Sequence, residues 1–293
     1  MKFNGVFSDY LPINVGSPQG TKLGPLLWII YVNDLEVENF FSVKYADDTT
    51  FYRASHTHDQ AGIVTDAIHR TQDWSESNSM LINAEKTVVM NTSLSSRKTY
   101  DDDIFSNGTV LSPVDHTKLL GVVIDNKLSF NQHIEFLVTK SNSRLFLMRK
   151  LKTLGLNAAG LKTFYETNIR SLLVYGSPAW YTLLSQQCKE TLESVQRSAT
   201  RIIFPDLSYD DRRCMLAVPI LNDFIFSLCK NHFDKIVADH THPHISRNTM
   251  NNCKTSTRAT TTFRPEKART QKRAKSFFQF YMRFSNNGNI YIE

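Results

Sequence analysis

Apolar positions change their period near residue 130, and this change divides the chain. Before it, short apolar runs alternate with turn-forming residues; after it, apolar residues recur at helical spacing through Ala238. Asn4-Gly5 lies between Lys2-Phe3 and Val6-Phe7, and this dipeptide favours a two-residue hairpin turn because both central positions need positive φ. The first strand would hold at most three residues, so the start reads as a cut through a larger fold. Pro25 needs no amide partner in the first turn of a helix, which predicts a helix over 25–35 with Leu26, Leu27, Ile29, Ile30 and Leu35 facing inward. Runs rich in β-branched and aromatic residues predict strands over 40–44 and 49–52, joined by Tyr45-Ala46-Asp47-Asp48. Ile63, Val64, Ala67, Ile68, Thr71 and Trp74 predict a helix ending near Asn78. Short strands are expected over 80–83 and 86–91, about Ala84-Glu85, and another over 119–125.

In the second half the spacing predicts helices over 131–154, 157–174, 185–203 and 218–238. Gly155 closes the first, Asn157 caps the second and Pro205 ends the third. Beyond His240 the chain turns polar and basic, with Phe277, Phe278, Phe280, Tyr281 and Phe284 as late apolar anchors and no internal repeat. Strands followed by helices define an α+β class.

A hydrophobic content of 41% over 293 residues supports a large core and excludes a wholly disordered chain. The longest apolar run, Leu26–Val32, has seven residues, far fewer than the roughly 20 that cross a bilayer, so no membrane span is expected. Residues 2–9 lack the apolar core of a signal peptide, which points to an intracellular protein, in nucleus or cytoplasm. Cys188, Cys214, Cys229 and Cys253 then read as free thiols. The net charge of +6 is uneven: residues 254–283 hold nine bases and one acid, which leaves the rest at −2. Such a segment either contacts phosphates or forms a solvated tail. Its cluster at 267–275 suits nuclear entry or RNA binding equally.

Two adjacent carboxylates repel each other unless water or a cation shares them, so Asp47 and Asp48 in an apolar hairpin suggest Mg²⁺; a solvated turn is the plain alternative. Side chains alternate along a strand, so only one can face a metal fully, and Asp47 is favoured as the principal ligand. Gly20 and Gly24 let backbone approach nucleic acid closely, and Gln19 can hydrogen-bond a base or sugar. Cys229, His232, His240, His242, His244 and Cys253 carry zinc-ligand chemistry, but their irregular spacing fits a helix and its polar exit better than a closed tetrahedral site. The stripe Phe224, Ile225, Leu228, Phe233 and Ile236 reads as helix core.

With these residues in order, the chain resembles the reverse transcriptases of non-LTR (LINE-type, jockey-like) retrotransposons over essentially its whole length. Gly16-Ser17-Pro18-Gln19-Gly20-Thr21-Lys22-Leu23-Gly24-Pro25-Leu26-Leu27, with Tyr31, Asn33 and Asp34, is similar to the family's loop and helix under template and incoming nucleotide. Tyr45-Ala46-Asp47-Asp48 resembles its metal-binding turn, Leu81-Ile82-Asn83 with Lys86-Thr87 its next palm motif, and Lys118-Leu119-Leu120-Gly121-Val122 its primer grip. His133, Tyr175-Gly176 and Trp180 resemble residues of its thumb and connection; Pro265, Ala268-Arg269-Thr270 and Ser276-Phe277 resemble its C-terminal tail.

The resemblance implies a partial polymerase palm over 1–128, an antiparallel sheet with helices but without fingers or first palm motif. A helical thumb and connection would follow over 129–245, and a basic tail over 246–293. It implies RNA-directed DNA synthesis with RNA template, DNA primer and deoxynucleotides as partners, and a two-Mg²⁺ site in which Asp47 and Asp48 are catalytic metal ligands. Lys86 either neutralises pyrophosphate or lies on the surface. Gly16, Ser17, Pro18, Gln19, Gly20, Tyr45, Leu120 and Gly121 would contact nucleic acid or nucleotide. The first metal-bridging Asp of the family precedes the region matched here, and Asp9 reads as a turn residue. The expectation is a C-terminal part of a polymerase, without an endonuclease domain and inactive alone; the alternative is a non-enzymatic remnant or co-opted nucleic-acid-binding module.

Overall fold

The computed structural model describes residues 2–3, 5–7, 9, 20–54, 60–93, 104–106, 109–239 and 271–287. They form two compact units, one of residues 1–89 and 100–113, the other of residues 90–99 and 114–293. Among the described residues the strands pair as four antiparallel two-stranded hairpins, not as one continuous sheet. The class is mixed helix and small antiparallel sheet, compatible with the expected α+β.

In the first unit β1 (Lys2–Phe3) pairs with β2 (Val6–Phe7), and Gly5 takes the φ of +83° that the turn demands. Helix α1 runs Leu23–Val32, starting before Pro25 and stopping short of 35. Its inward face is Gly24, the half-buried Trp28 and Val32, each one turn apart. Leu26, Leu27, Ile29 and Ile30, expected inward, are 50–64% exposed, whereas Leu35 is buried in the following segment. A helix apolar on every side gives periodicity nothing to select, so its tethers choose the face.

Strands β3 (Phe41–Tyr45) and β4 (Asp48–Tyr52) pair from Phe41↔Tyr52 to Tyr45↔Asp48. Helix α2 (Gln60–Ser77) follows, and β5 (Ile104–Ser106), paired with β6 (Thr109–Leu111), lies against it with Ile104 and Ala67 buried. The strands expected over 80–83 and 86–91 do not form. Ser79, at φ +54°, and Met80 instead donate their amides to Glu76 and Ser75, a Schellman closure of α2, and Leu81 is left 99% exposed.

In the second unit the strand expected over 119–125 is folded in two. β7 (His116–Leu119) and β8 (Val122–Asp125) meet at a turn in which Leu120 and Gly121 have φ of +46° and +87°. The buried Asp125 carboxylate accepts amides of Lys127, Ser129 and Phe130 and leads into α3 (Asn131–Thr153). Burial pushes that carboxyl up, but the amides of Ser129, Phe130 and Lys127 and the Ser129 hydroxyl outweigh it and hold it below its ordinary 3.8. Gly155, at φ +88°, closes α3, and Asn157 caps α4 (Ala158–Phe164) by accepting the Gly160 amide at 2.8 Å.

The helix expected over 157–174 is continuous but not uniform: a π-turn over Tyr165–Arg170 separates α4 from α5 (Ser171–Val174). Helices α6 (Ser177–Trp180) and α7 (Gln186–Ile203) follow, the latter capped by Ser185 and packed along α3. The helix expected over 218–238 is α9 (Leu221–Ala238), preceded by an unforeseen α8 (Tyr209–Leu216). Ile220 offers α9 no side-chain cap. Glu193 of α7 supplies one instead, its buried carboxylate accepting the amides of Leu221 and Asn222 at 3.3 and 3.2 Å, the Asn222 side chain and the Tyr209 hydroxyl.

Two more helices, α10 (Gln271–Lys275) and α11 (Phe277–Asn287), join this core, where Tyr281 and Met282 are fully buried. Tyr281 stacks on Phe233 of α9 at 5.7 Å, and Phe277, Phe278 and Phe280 pack beside it. The late anchors thus belong to the helical core; the side chain of Phe284 is outside the described residues. No single helix among the described residues is long and apolar enough to cross a membrane.

Candidate functional site

Asp47 and Asp48 sit at the tip of the β3–β4 hairpin, Asp47 in the two-residue turn with Ala46 and Asp48 opening β4 opposite Tyr45. Ala46 has φ +51°, the left-handed conformation that a tight hairpin turn needs at its first central position and that costs a non-glycine residue roughly 1–2 kcal/mol. Both carboxylates and the Tyr45 ring are exposed. The strained tip is held from behind: the Trp28 indole donates to the Ala46 carbonyl at 2.6 Å, and Lys44 donates to the carbonyls of Val32 and Asn33 at the end of α1. Trp74 of α2 donates to Asp34 at 3.0 Å, and Tyr31 donates to the Asn78 carbonyl. Helix α1 thereby holds the tip of the hairpin, and α2 braces α1 and the segment that follows it. Sequence reading missed these braces; the placement of Gly24, Trp28 and Val32 at intervals of four was the available signal.

Of the other expected residues, Gly16, Ser17, Pro18 and Gln19 lie outside the described residues, and Gly20 is exposed at φ +78°. Lys86 is exposed in the turn 84–86, its amide bonded to Asn83, and no ion pair joins it to Asp47 or Asp48. Among the described residues no group of three or more His, Cys, Asp or Glu side chains is placed to share a metal. The turn therefore offers two carboxylates, hard oxygen donors of the kind Mg²⁺ takes together with water and substrate phosphates. Cys229 is buried with its thiol 3.5 Å from the Ser177 hydroxyl, and His232 lies against Phe277; His240, His242, His244 and Cys253 are outside the described residues.

The second unit gathers four of the singled-out motifs around the β7–β8 turn. Tyr175 donates to the Leu120 carbonyl at 2.9 Å, and Trp180 donates to the Tyr175 carbonyl at 3.1 Å. His133 accepts the Val123 amide on Nδ1 at 3.3 Å and meets the Trp180 ring edge-on at 5.3 Å. Accepting on Nδ1 makes the imidazole neutral with its proton on Nε2, and burial pushes its pKa down to about 4. Gly121 and Gly176 are tightly packed: a Cβ on the first would lie 3.1 Å from the Tyr175 ring, and on the second 3.0 Å from Val122, so either neighbour would have to give way.

Residues 2–124 match the family model described as reverse transcriptase (RNA-dependent DNA polymerase), which takes in the Asp47-Asp48 turn and the β7–β8 hairpin. Over that stretch, under half of the 293 residues, the chain is similar to a reverse transcriptase domain. Within the family the similarity runs to non-LTR retrotransposons. The chain is 26% identical over 251 residues, 80% of its length, to the "RNA-directed DNA polymerase from mobile element jockey" of Drosophila melanogaster. It is 23% identical over 214 residues to the "Probable RNA-directed DNA polymerase from transposon X-element" of the same organism. It is 26% identical over 178 residues to the "Retrovirus-related Pol polyprotein from type-1 retrotransposable element R1" of Bradysia coprophila. These matches cover 69% of the chain for the X-element protein and 58% for the R1 protein, and 27%, 23% and 18% of the jockey, X-element and R1 proteins in turn. The chain thus spans roughly a fifth to a quarter of the length of these three relatives. No solved structure matches. As a family, reverse transcriptases use a divalent metal ion, an RNA template and nucleotide substrates.

Proposed function

We propose that this chain contributes the metal-binding turn, primer grip and thumb of an RNA-directed DNA polymerase, and that alone it binds nucleic acid without extending a primer. The observation that carries the reading is the clamped Asp47-Asp48 tip inside the region matching the family. Residues 1–128 form the palm portion, 129–245 the thumb and connection, and 246–293 a basic tail; the change of hydrophobic period and the end of the family match at 124 support this division over the one at 113–114 between the compact units.

In this reading Asp47 and Asp48 hold Mg²⁺, Asp47 principally, through exposed oxygens that the hairpin keeps at its tip. Bound there, Mg²⁺ would activate the primer 3′-hydroxyl and neutralise charge on the leaving pyrophosphate. Tyr45 and Gly20 line the approach of nucleotide and template, and Lys86 is a mobile positive charge for phosphate. Leu120 and Gly121 present the backbone of a braced turn to the primer strand. The reading as a nucleic-acid-binding module is favoured by one feature: the described residues place two carboxylates, and no third, at the turn.

Primer extension on a poly(A)/oligo(dT) duplex with Mg²⁺ or Mn²⁺, with Asp47→Ala as control and duplex binding alongside, tests the reading. Binding without extension is expected. Extension that Asp47→Ala abolishes would mean that another carboxylate of this chain completes the site. Extension that survives Asp47→Ala would remove the turn from catalysis, and failure to bind would remove the nucleic-acid role.

A further inference from the structure

Asp47 and Asp48 are adjacent in sequence but are held by different means. Asp48 opens β4 in register with Tyr45, so the strand ladder fixes its backbone. Asp47 stands outside the ladder, and its own amide shares a planar peptide with the Ala46 carbonyl. The Trp28 indole donates to that carbonyl at 2.6 Å. A group that holds the carbonyl therefore also holds the Asp47 amide and the direction in which the Asp47 side chain leaves the turn. The choice is between two states. Ala46 is at φ +51° and Asp47 is not at positive φ, and a turn of that kind differs from one positive at both central positions by a flip of the peptide between them. Aspartate tolerates the left-handed region through its short polar side chain, so the sequence of the turn leaves the flipped state open.

Trp28 is well placed to decide between them. It is half-buried on the inward face of α1, and Lys44 donates to the Val32 and Asn33 carbonyls at 2.6 and 3.3 Å, which ties the end of that helix to β3 just before the turn. The Trp28 ring lies 6.3 Å from that of Tyr31, and Tyr31 meets Trp74 of α2 edge-on at 6.2 Å, so the donor is itself held by a row of aromatic rings. In the flipped state the carbonyl would turn away from the indole and the bond would be lost. We propose that Trp28 is a positioning residue for the Asp47-Asp48 turn, its indole N–H keeping the Ala46–Asp47 peptide in the orientation that lets both carboxylates share a divalent cation. The inference rests on the reading of the turn as a Mg²⁺ site and adds the residue that sets its geometry.

The test is Mn²⁺ titration of the full chain, followed by the relaxation of water protons. Trp28→Phe keeps an aromatic ring and loses the donor, and should weaken Mn²⁺ binding about fivefold, the worth of one neutral hydrogen bond. Trp74→Phe makes the same exchange in α2, where the indole donates to Asp34 at 3.0 Å, and should leave binding at the wild-type value. Equal losses in both variants, or wild-type affinity in Trp28→Phe, overturn the inference while leaving the Mg²⁺ reading intact. Wild-type binding that Asp47→Ala does not diminish, or no binding at all, overturns that reading and the inference with it. Linkage gives a second measurement on the unmutated chain: if the indole bond favours the cation, the cation favours the indole bond by the same factor. Saturating Mg²⁺ should therefore slow hydrogen exchange of the Trp28 indole N–H, read by NMR, and leave that of Trp74 unchanged. Exchange at Trp28 that is indifferent to Mg²⁺ overturns the positioning role whether or not Trp28→Phe folds.

Discussion

The Tyr175 hydroxyl donates to the Leu120 carbonyl at 2.9 Å across 55 positions of sequence, joining the end of the α5 segment to the tip of the β7–β8 turn. A carbonyl at a hairpin tip ordinarily faces water. Here it has a fixed donor, and the ring beside it fills the space left by the missing Gly121 side chain. The turn is consequently positioned by the helical layer and not only by its own two short strands.

Removing that one hydroxyl should have a modest effect. Tyr175→Phe keeps the ring and loses the hydrogen bond, so urea unfolding should show about 1 kcal/mol less stability with unchanged m. A loss several times larger would mean that the ring, too, had moved.

Gly121→Ala should be worse. At φ +87° an alanine is strained, and its Cβ would sit 3.1 Å from the Tyr175 ring, so a loss of roughly 1–3 kcal/mol is expected. Combining it with Tyr175→Ala relieves the clash but not the strain. The double variant should therefore be more stable than the sum of the two single effects.

Acid should weaken the second unit through His133. Burial lowers its pKa from 6.5 to about 4, so the folded state prefers the neutral ring. No stability is lost to this group above pH 6.5; the loss grows as pH falls toward 4 and levels off below, reaching about 3 kcal/mol. Asp125, whose carboxyl is held below its ordinary 3.8, loses its contribution only at lower pH, as it is protonated through its folded pKa. Chemical denaturation of His133→Gln between pH 7 and pH 4 should remove the upper of these two losses and leave the lower.

Glu193 acts as a cap supplied by another helix. Glu193→Gln keeps the shape but turns an amide toward groups that themselves donate, and should cost about 3 kcal/mol. Because α9 carries the contacts to α11, near-ultraviolet circular dichroism of the buried Tyr281 environment should change with it. An unchanged spectrum with full stability would show that α9 is capped some other way.

What the sequence made legible was local. Ser185 and Asn157 announce helix starts because their oxygens bond amides three residues on, and Gly155 announces an end because its backbone must turn left-handed. The Asp47-Asp48 hairpin was legible for the same reason, together with the order of motifs around it. Other features were set by partners far along the chain. The inward face of α1 depends on Trp28 reaching Ala46 and Lys44 reaching Val32, and a helix apolar on all sides hides that choice. Leu120 at φ +46° gave no turn signal because leucine rarely adopts that conformation, so one strand was expected where two meet. His133, Tyr175 and Trp180 stood in the sequence as separate resemblances, and only the fold shows them bracing one turn.

The π-turn over Tyr165–Arg170 gives this brace a tolerance of length that no substitution probes. One residue more than an α-helix needs is accommodated there, with Tyr165 and Ile169 both buried. Deleting a single position inside the turn would let it relax into regular α-helix while Leu173 and Tyr175, beyond it, keep their facing. The same deletion in α3, which holds no such reserve, would turn everything beyond it by about 100°. The residue count of the helical layer is therefore slack at one point and a fixed dimension elsewhere.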